Sequence, residues 1–158
     1  MEAGINGQAA ELRIFSEAPV MSKGAAARLS PVTLSLVGDA VFELYIRTVL
    51  LLEGNHNAEH LHREKIRLVN AAAQAAMLQA MEERLTQAER DIVRRGRNAK
   101  HHSTAKNQSI RDYNLSSGLE ALCGYLYLSG ETVRLRELLA FALLCVRTDA
   151  NKRDDADV

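Results

Sequence analysis

An all-α domain is the fold this sequence predicts, and three observations carry the prediction. Ala and Leu supply 45 of the 158 residues, whereas Val and Ile supply 16, a bias toward helix formers over strand formers. Both prolines, Pro19 and Pro31, precede the periodic part of the chain, so nothing behind them breaks a helix. Apolar residues then recur at helical spacing, and no stretch alternates as a half-buried strand does. The length fits one domain with one core. A composition of 47% hydrophobic and 25% charged residues excludes general disorder.

The elements follow in order. Residues 1–28 show no sustained period and are expected to form a loosely ordered tail, ahead of a domain over 29–147 and a frayed tail over 148–158. From Pro31 to Glu53 the chain is too long for a strand and apolar on almost every side, which predicts the central helix of a bundle, stopped at Gly54. Asn57 caps a helix to about Leu68, and Asn70 caps an Ala-rich helix to about Arg84. Thr86 with Glu89 forms a capping box for a helix ending near Gly96. The polar, aperiodic stretch from Arg97 to Tyr113 reads as a loop. Asn114 opens the next helix, and a last amphipathic helix runs from Glu131 to about Arg147. No window is apolar for long enough to span a bilayer, and no secretion signal opens the chain, so a cytoplasmic protein is expected. Cys123 and Cys145 fall in apolar helical patterns and are expected to be buried free thiols.

Charge is balanced overall, with 20 basic and 20 acidic residues, but it is segregated along the chain. Between Arg90 and Arg111 seven basic residues face a single acidic one, Asp91. Such a patch reads either as an anion-binding surface or as a solvated charged face.

Two carboxylates stand out against apolar surroundings. Ser35, Asp39, Glu43 and Arg47 follow at i+4 steps and form one polar stripe on the first long helix, with Asp39 expected to be the deepest of them. Glu120 is the only charged residue between Leu115 and Leu128, where Gly118 and Gly124 leave space beside it. A buried carboxylate costs several kcal/mol unless a cation or several donors compensate it. An ion pair with Arg47 or hydrogen bonds to a helix end would satisfy that need. So would a hard, oxygen-seeking ion such as Mg²⁺, which with a basic patch in the same chain points to a nucleic-acid phosphodiester as substrate.

Three blocks in order, LSLVGDAVFELYIR, then RRGRNAK at Arg94 to Lys100, then LSSGLEALCGYLYL, resemble the Mini-ribonuclease 3 family, the short bacterial relatives of ribonuclease III. The resemblance covers roughly residues 29 to 145 and implies an all-helical, ribonuclease III-like endonuclease domain acting as a homodimer on double-stranded RNA. It places the Asp of the family's GD pair on Asp39 and the Glu of its LEAL segment on Glu120, as catalytic residues and Mg²⁺ ligands. It also implies that the substrate is a ribosomal RNA precursor, of the 23S species. Full-length ribonuclease III carries further acids at positions that are Ser35 and Ser117 here. Arg94, Arg95, Arg97, Lys100 and Lys106 are the candidate RNA-binding residues, reading A-form shape and phosphates more than base edges.

Other candidates fare less well. His60 and His62 project about 200° apart on a helix, and the Asn57 cap leaves His56 outside it, so the three do not share a metal. Ser116 and Ser117 have no neighbouring His base. Tyr125 and Tyr127 are expected in the core. Two rival functions stay open on the sequence: a catalytically silent RNA-binding ribosome-assembly factor, supported by the serines at 35 and 117, and a helical structural adaptor.

Overall fold

The computed structural model describes residues 18–54, 57–99 and 109–156, and among them every regular element is helical. The elements are α1 (Lys23–Arg28), α2 (Pro31–Leu52), α3 (Ala58–Val69), α4 (Ala71–Met81), α5 (Gln87–Asn98), α6 (Ile110–Leu128) and α7 (Thr132–Ala156), with one 3₁₀ turn, Glu82–Arg84, between α4 and α5. Polar caps set the starts. Ser22, Ser30, Asn57, Asn70, Thr86 and Ser109 each accept a backbone amide from the first turn of the helix that follows, satisfying a donor that the helix itself leaves free. The Thr86–Glu89 capping box forms as expected.

The central helix is α6, not α2. Twelve of the 19 residues of α6 are buried, because Ser116, Ser117, Gly118, Ala121 and Gly124 are small enough for neighbours to close on several sides. On α2 only one face is buried, through Leu34, Gly38, Phe42, Ile46 and Leu50 at i+4 steps, while Leu36 and Leu44 stay 75% and 55% exposed. Phe42, Ile46, Met77, Leu78, Leu119, Leu122 and Leu139 meet in the core, each contributing about 1.5–3 kcal/mol through burial.

Three boundaries differ from expectation. The presumed tail over residues 1–28 is part of the fold from Val20 onward: the Met21 amide donates to the Leu128 carbonyl at 3.0 Å, and Ala26 of α1 is fully buried. A six-residue helix is too short to display a period. The helix assigned from Asn114 begins at Ile110, because Ser109 supplies the cap and the first turn is solvent-facing. The last helix continues past Arg147 to Ala156 with every residue from Thr148 exposed. Cys123 is a buried free thiol and Cys145 a half-buried one. No described helix is long and apolar enough to cross a membrane.

One buried carboxylate is fully compensated. Glu89 is buried on α5, accepts from the Arg134 guanidinium at 2.9 and 3.0 Å, and closes the Thr86 cap. Burial alone would raise its pKa, but Arg134 and Thr86 outweigh that and hold it below the usual value.

Candidate active site: an acidic cleft where two helices cross

Two glycines determine how closely α2 and α6 approach. A Cβ at Gly38 would lie 1.6 Å from the Glu120 carbonyl oxygen, and one at Gly124 would lie 2.1 Å from the Leu34 carbonyl oxygen. Neither position can carry a side chain at this separation. A hydrogen bond from the Ser35 hydroxyl to the Ser117 carbonyl, 3.0 Å long and buried, fastens the same crossing. Asp39 follows Gly38 directly, so the contact that admits no Cβ also brings its carboxylate beside Glu120.

The two acids line one cleft of about 330 Å³ with Ser35, Gln74, Tyr113 and Ser117. Ser35, not Asp39, is the deepest member of the α2 stripe; Asp39 is exposed at the cleft and Glu120 is half-buried. The expected depth of Asp39 fails because the face of α2 against α6 is set by Ser35 and Gly38, and Asp39 lies beside that face. Partial desolvation by the cleft wall, then the like charge of Glu43, raises the Asp39 pKa, with Lys65 opposing. Burial, then the like charge of Asp39, pushes Glu120 up to about 7, with the Gln74 amide opposing. Glu120 thus resists ionisation in the presence of Asp39, and Asp39 in the presence of Glu43.

The ion-pair alternative for Asp39 fails on geometry. Arg47 and Lys65 both bond Glu43, at 3.0 and 3.2 Å, and no cationic nitrogen among the described residues comes within 4.0 Å of Asp39 or Glu120. The contrast with Glu89 is direct: that carboxylate has its arginine, and these two do not. Two carboxylates with neutral hydroxyl and amide neighbours form an all-oxygen donor set, which fits a hard divalent cation of the Mg²⁺ kind, an ion that takes few protein ligands and keeps waters. Among the described residues no cluster of three or more His, Cys, Asp or Glu forms, so Asp39 and Glu120 are the charged groups available to it.

The basic candidates separate. Arg94 and Arg97 are exposed on α5. Arg94 bonds Asp91 at 3.3 Å, and the stem of Arg97 crosses Gly118, where a Cβ would come 2.9 Å from its Cγ. Arg95 faces elsewhere. Its guanidinium donates to the Ala27 and Leu29 carbonyls, tying α5 to the end of α1, so a free phosphate-binding role does not hold for it in this arrangement. Lys100 and Lys106 lie outside the described residues. Arg90 shares one face of α5 with Arg94 and Arg97 at i, i+4, i+7 spacing, and the three line a groove separate from the acidic cleft, with Glu82, Glu83 and Asp91 among its other walls.

The fold is all-helical around a paired-carboxylate cleft, and the family described as Ribonuclease III domain matches residues 32–131, so the chain carries a ribonuclease III domain. The chain is 41% identical over 78% of its length to a Mini-ribonuclease 3 of Thermoanaerobacter sp., covering 87% of that protein, and 47% identical over 72% of its length to one of Symbiobacterium thermophilum, covering 88%. It belongs to the Mini-ribonuclease 3 family and is an endoribonuclease. A crystal structure of a Fusobacterium nucleatum protein shares the fold, with a TM-score of 0.67, 24% identity, and coverage of 73% of this chain and 93% of that one.

Proposed function

We propose that the protein cuts double-stranded RNA in a Mg²⁺-dependent reaction at the cleft between α2 and α6, with Asp39 and Glu120 as the ligands of the ion and ribosomal RNA precursor, of the 23S species, as the substrate. The observation that carries this reading is the pair of carboxylates that Gly38 brings together, neither of them salt-bridged to a cation among the described residues. The ion, when bound, supplies the positive charge that activates a water and offsets charge building on the phosphate and on the leaving oxygen. The chain's own part is orientation. Asp39 and Glu120 sit on two rigid helices locked by Gly38, Gly124 and the Ser35 bond, so their spacing is set before substrate arrives.

Arg94 and Arg97, exposed on α5, are assigned to phosphate contacts, with Lys100 and Lys106 assigned to the same task from the sequence. Leu36, Ala40, Leu44 and Leu51 are exposed within an arc of about 80° on α2, and Leu36 also lines the cleft. A second copy of the chain docked on this stripe places two sites in one particle and gives each strand of a duplex its own. The reading places the protein in the cytoplasm, where ribosomal precursors are matured. The test is cleavage of a ribosomal precursor fragment containing its paired stem, against a single-stranded RNA of the same composition, with and without Mg²⁺. Cutting confined to the stem and to Mg²⁺ is expected; equal cutting of the single strand would overturn it.

A further inference from the structure

Gln74 of α4 is only 3% exposed and lines the acidic cleft. Among the described residues no direct hydrogen bond satisfies its carboxamide, which lies in the cleft wall with the Glu120 and Asp39 carboxylates; its proximity favours the charged form of Glu120. A buried amide left short of partners costs about 1–3 kcal/mol, and the neighbouring positions on this helix, Ala71, Ala75 and Leu78, are buried and apolar. Packing alone asks for an apolar residue at 74. The amide is therefore explained by what it faces.

We propose that Gln74 is a positioning residue for the cation site: from α4 its amide steers the nearby Glu120 carboxylate into one orientation, so that the ligand is set before the ion binds. This rests on the reading of Asp39 and Glu120 as ion ligands. It makes the site a product of three helices, with α2 and α6 fixed by the Gly38 contact and the Ser35 bond, and α4 fixing the carboxylate. Groups that orient a metal ligand from behind alter metal affinity by about 10–100-fold.

The experiment compares wild type, Gln74→Leu and Gln74→Met, two apolar replacements of similar volume, by Mn²⁺ binding to the RNA-free protein, read from the electron paramagnetic resonance of the unbound ion. Both variants should stay folded and bind Mn²⁺ at least tenfold more weakly. At low Mg²⁺ their kcat should fall, and raising Mg²⁺ should restore it, with KM for RNA unchanged. A merely structural role predicts reduced thermal stability with Mn²⁺ affinity intact. Affinity within twofold of wild type in whichever variant folds overturns the inference while leaving the cation site standing. If wild type takes up no Mn²⁺ that Glu120→Gln abolishes, the cation site itself fails, and Gln74's role with it.

Discussion

Glu120→Gln keeps the side chain's size, removes its charge, and should stabilise the cation-free protein in a strongly pH-dependent way. In the native state burial and the Asp39 carboxylate push the Glu120 pKa up to about 7, against an ordinary value of 4.5. An acid whose pKa rises on folding leaves the native state holding more protons than the unfolded chain between those two values. Stability therefore falls as pH climbs through that window and stays reduced above it. At about 1.4 kcal/mol per pH unit, the penalty is about 3 kcal/mol at pH 8 and well under about 1 kcal/mol at pH 4.5. Removing the charge should thus raise stability by about 2–3 kcal/mol at pH 8, or roughly 6–10 °C in melting temperature, and by almost nothing at pH 4.5. Urea unfolding in a chelating buffer, followed by circular dichroism at both pH values, measures it. A gain of equal size at the two pH values, or a loss at pH 8, would refute the electrostatic reasoning. Adding Mg²⁺ at pH 8 should stabilise wild type by mass action and leave the variant unmoved.

Three other outcomes follow from the same geometry. Gly38→Ala forces a methyl against the Glu120 carbonyl and should cost about 3 kcal/mol or more, while cleavage falls further than the folded fraction does. Changing Arg94 and Arg97 together to Ala should lower the log–log salt slope of RNA binding by roughly one to two units, with the rate at saturating RNA falling much less than affinity; an unchanged slope places the RNA elsewhere. Leu44→Asp should convert a homodimer to monomer in sedimentation at micromolar concentration without unfolding the chain, and a monomeric wild type would remove the paired-strand arrangement.

Much of this molecule is legible in its sequence because local chemistry decides it. Asn57, Asn70 and Thr86 cap the helices they were expected to cap, since an N-cap acts within one turn. Glu120 stands out as the lone charge of an apolar helix segment, and Asp39 by its place in the one polar stripe of a helix otherwise apolar on almost every side. What the sequence hides is tertiary. Which long helix is central depends on how many partners close on it, and α2 and α6 look equally apolar along the chain. Gln74 and Arg95 carry no local mark: one is a polar residue among alanines, the other one arginine in a basic run, and only packing shows that the first faces Glu120 while the second ties down α1. Glu89 was visible as a cap residue, but its arginine lies 45 positions away.

The central claim is that Asp39 and Glu120 together hold the ion on which cleavage depends, and Asp39→Asn tests it most directly. Asp39 is exposed and unpaired among the described residues, so the change costs the fold little. Single-turnover cleavage of a double-stranded RNA, measured across a Mg²⁺ titration alongside RNA binding in chelator, should show wild-type binding and cleavage reduced by at least a hundredfold at every Mg²⁺ concentration. Near-normal Mg²⁺-dependent cleavage by this variant would contradict the assignment and move the chemistry out of the cleft.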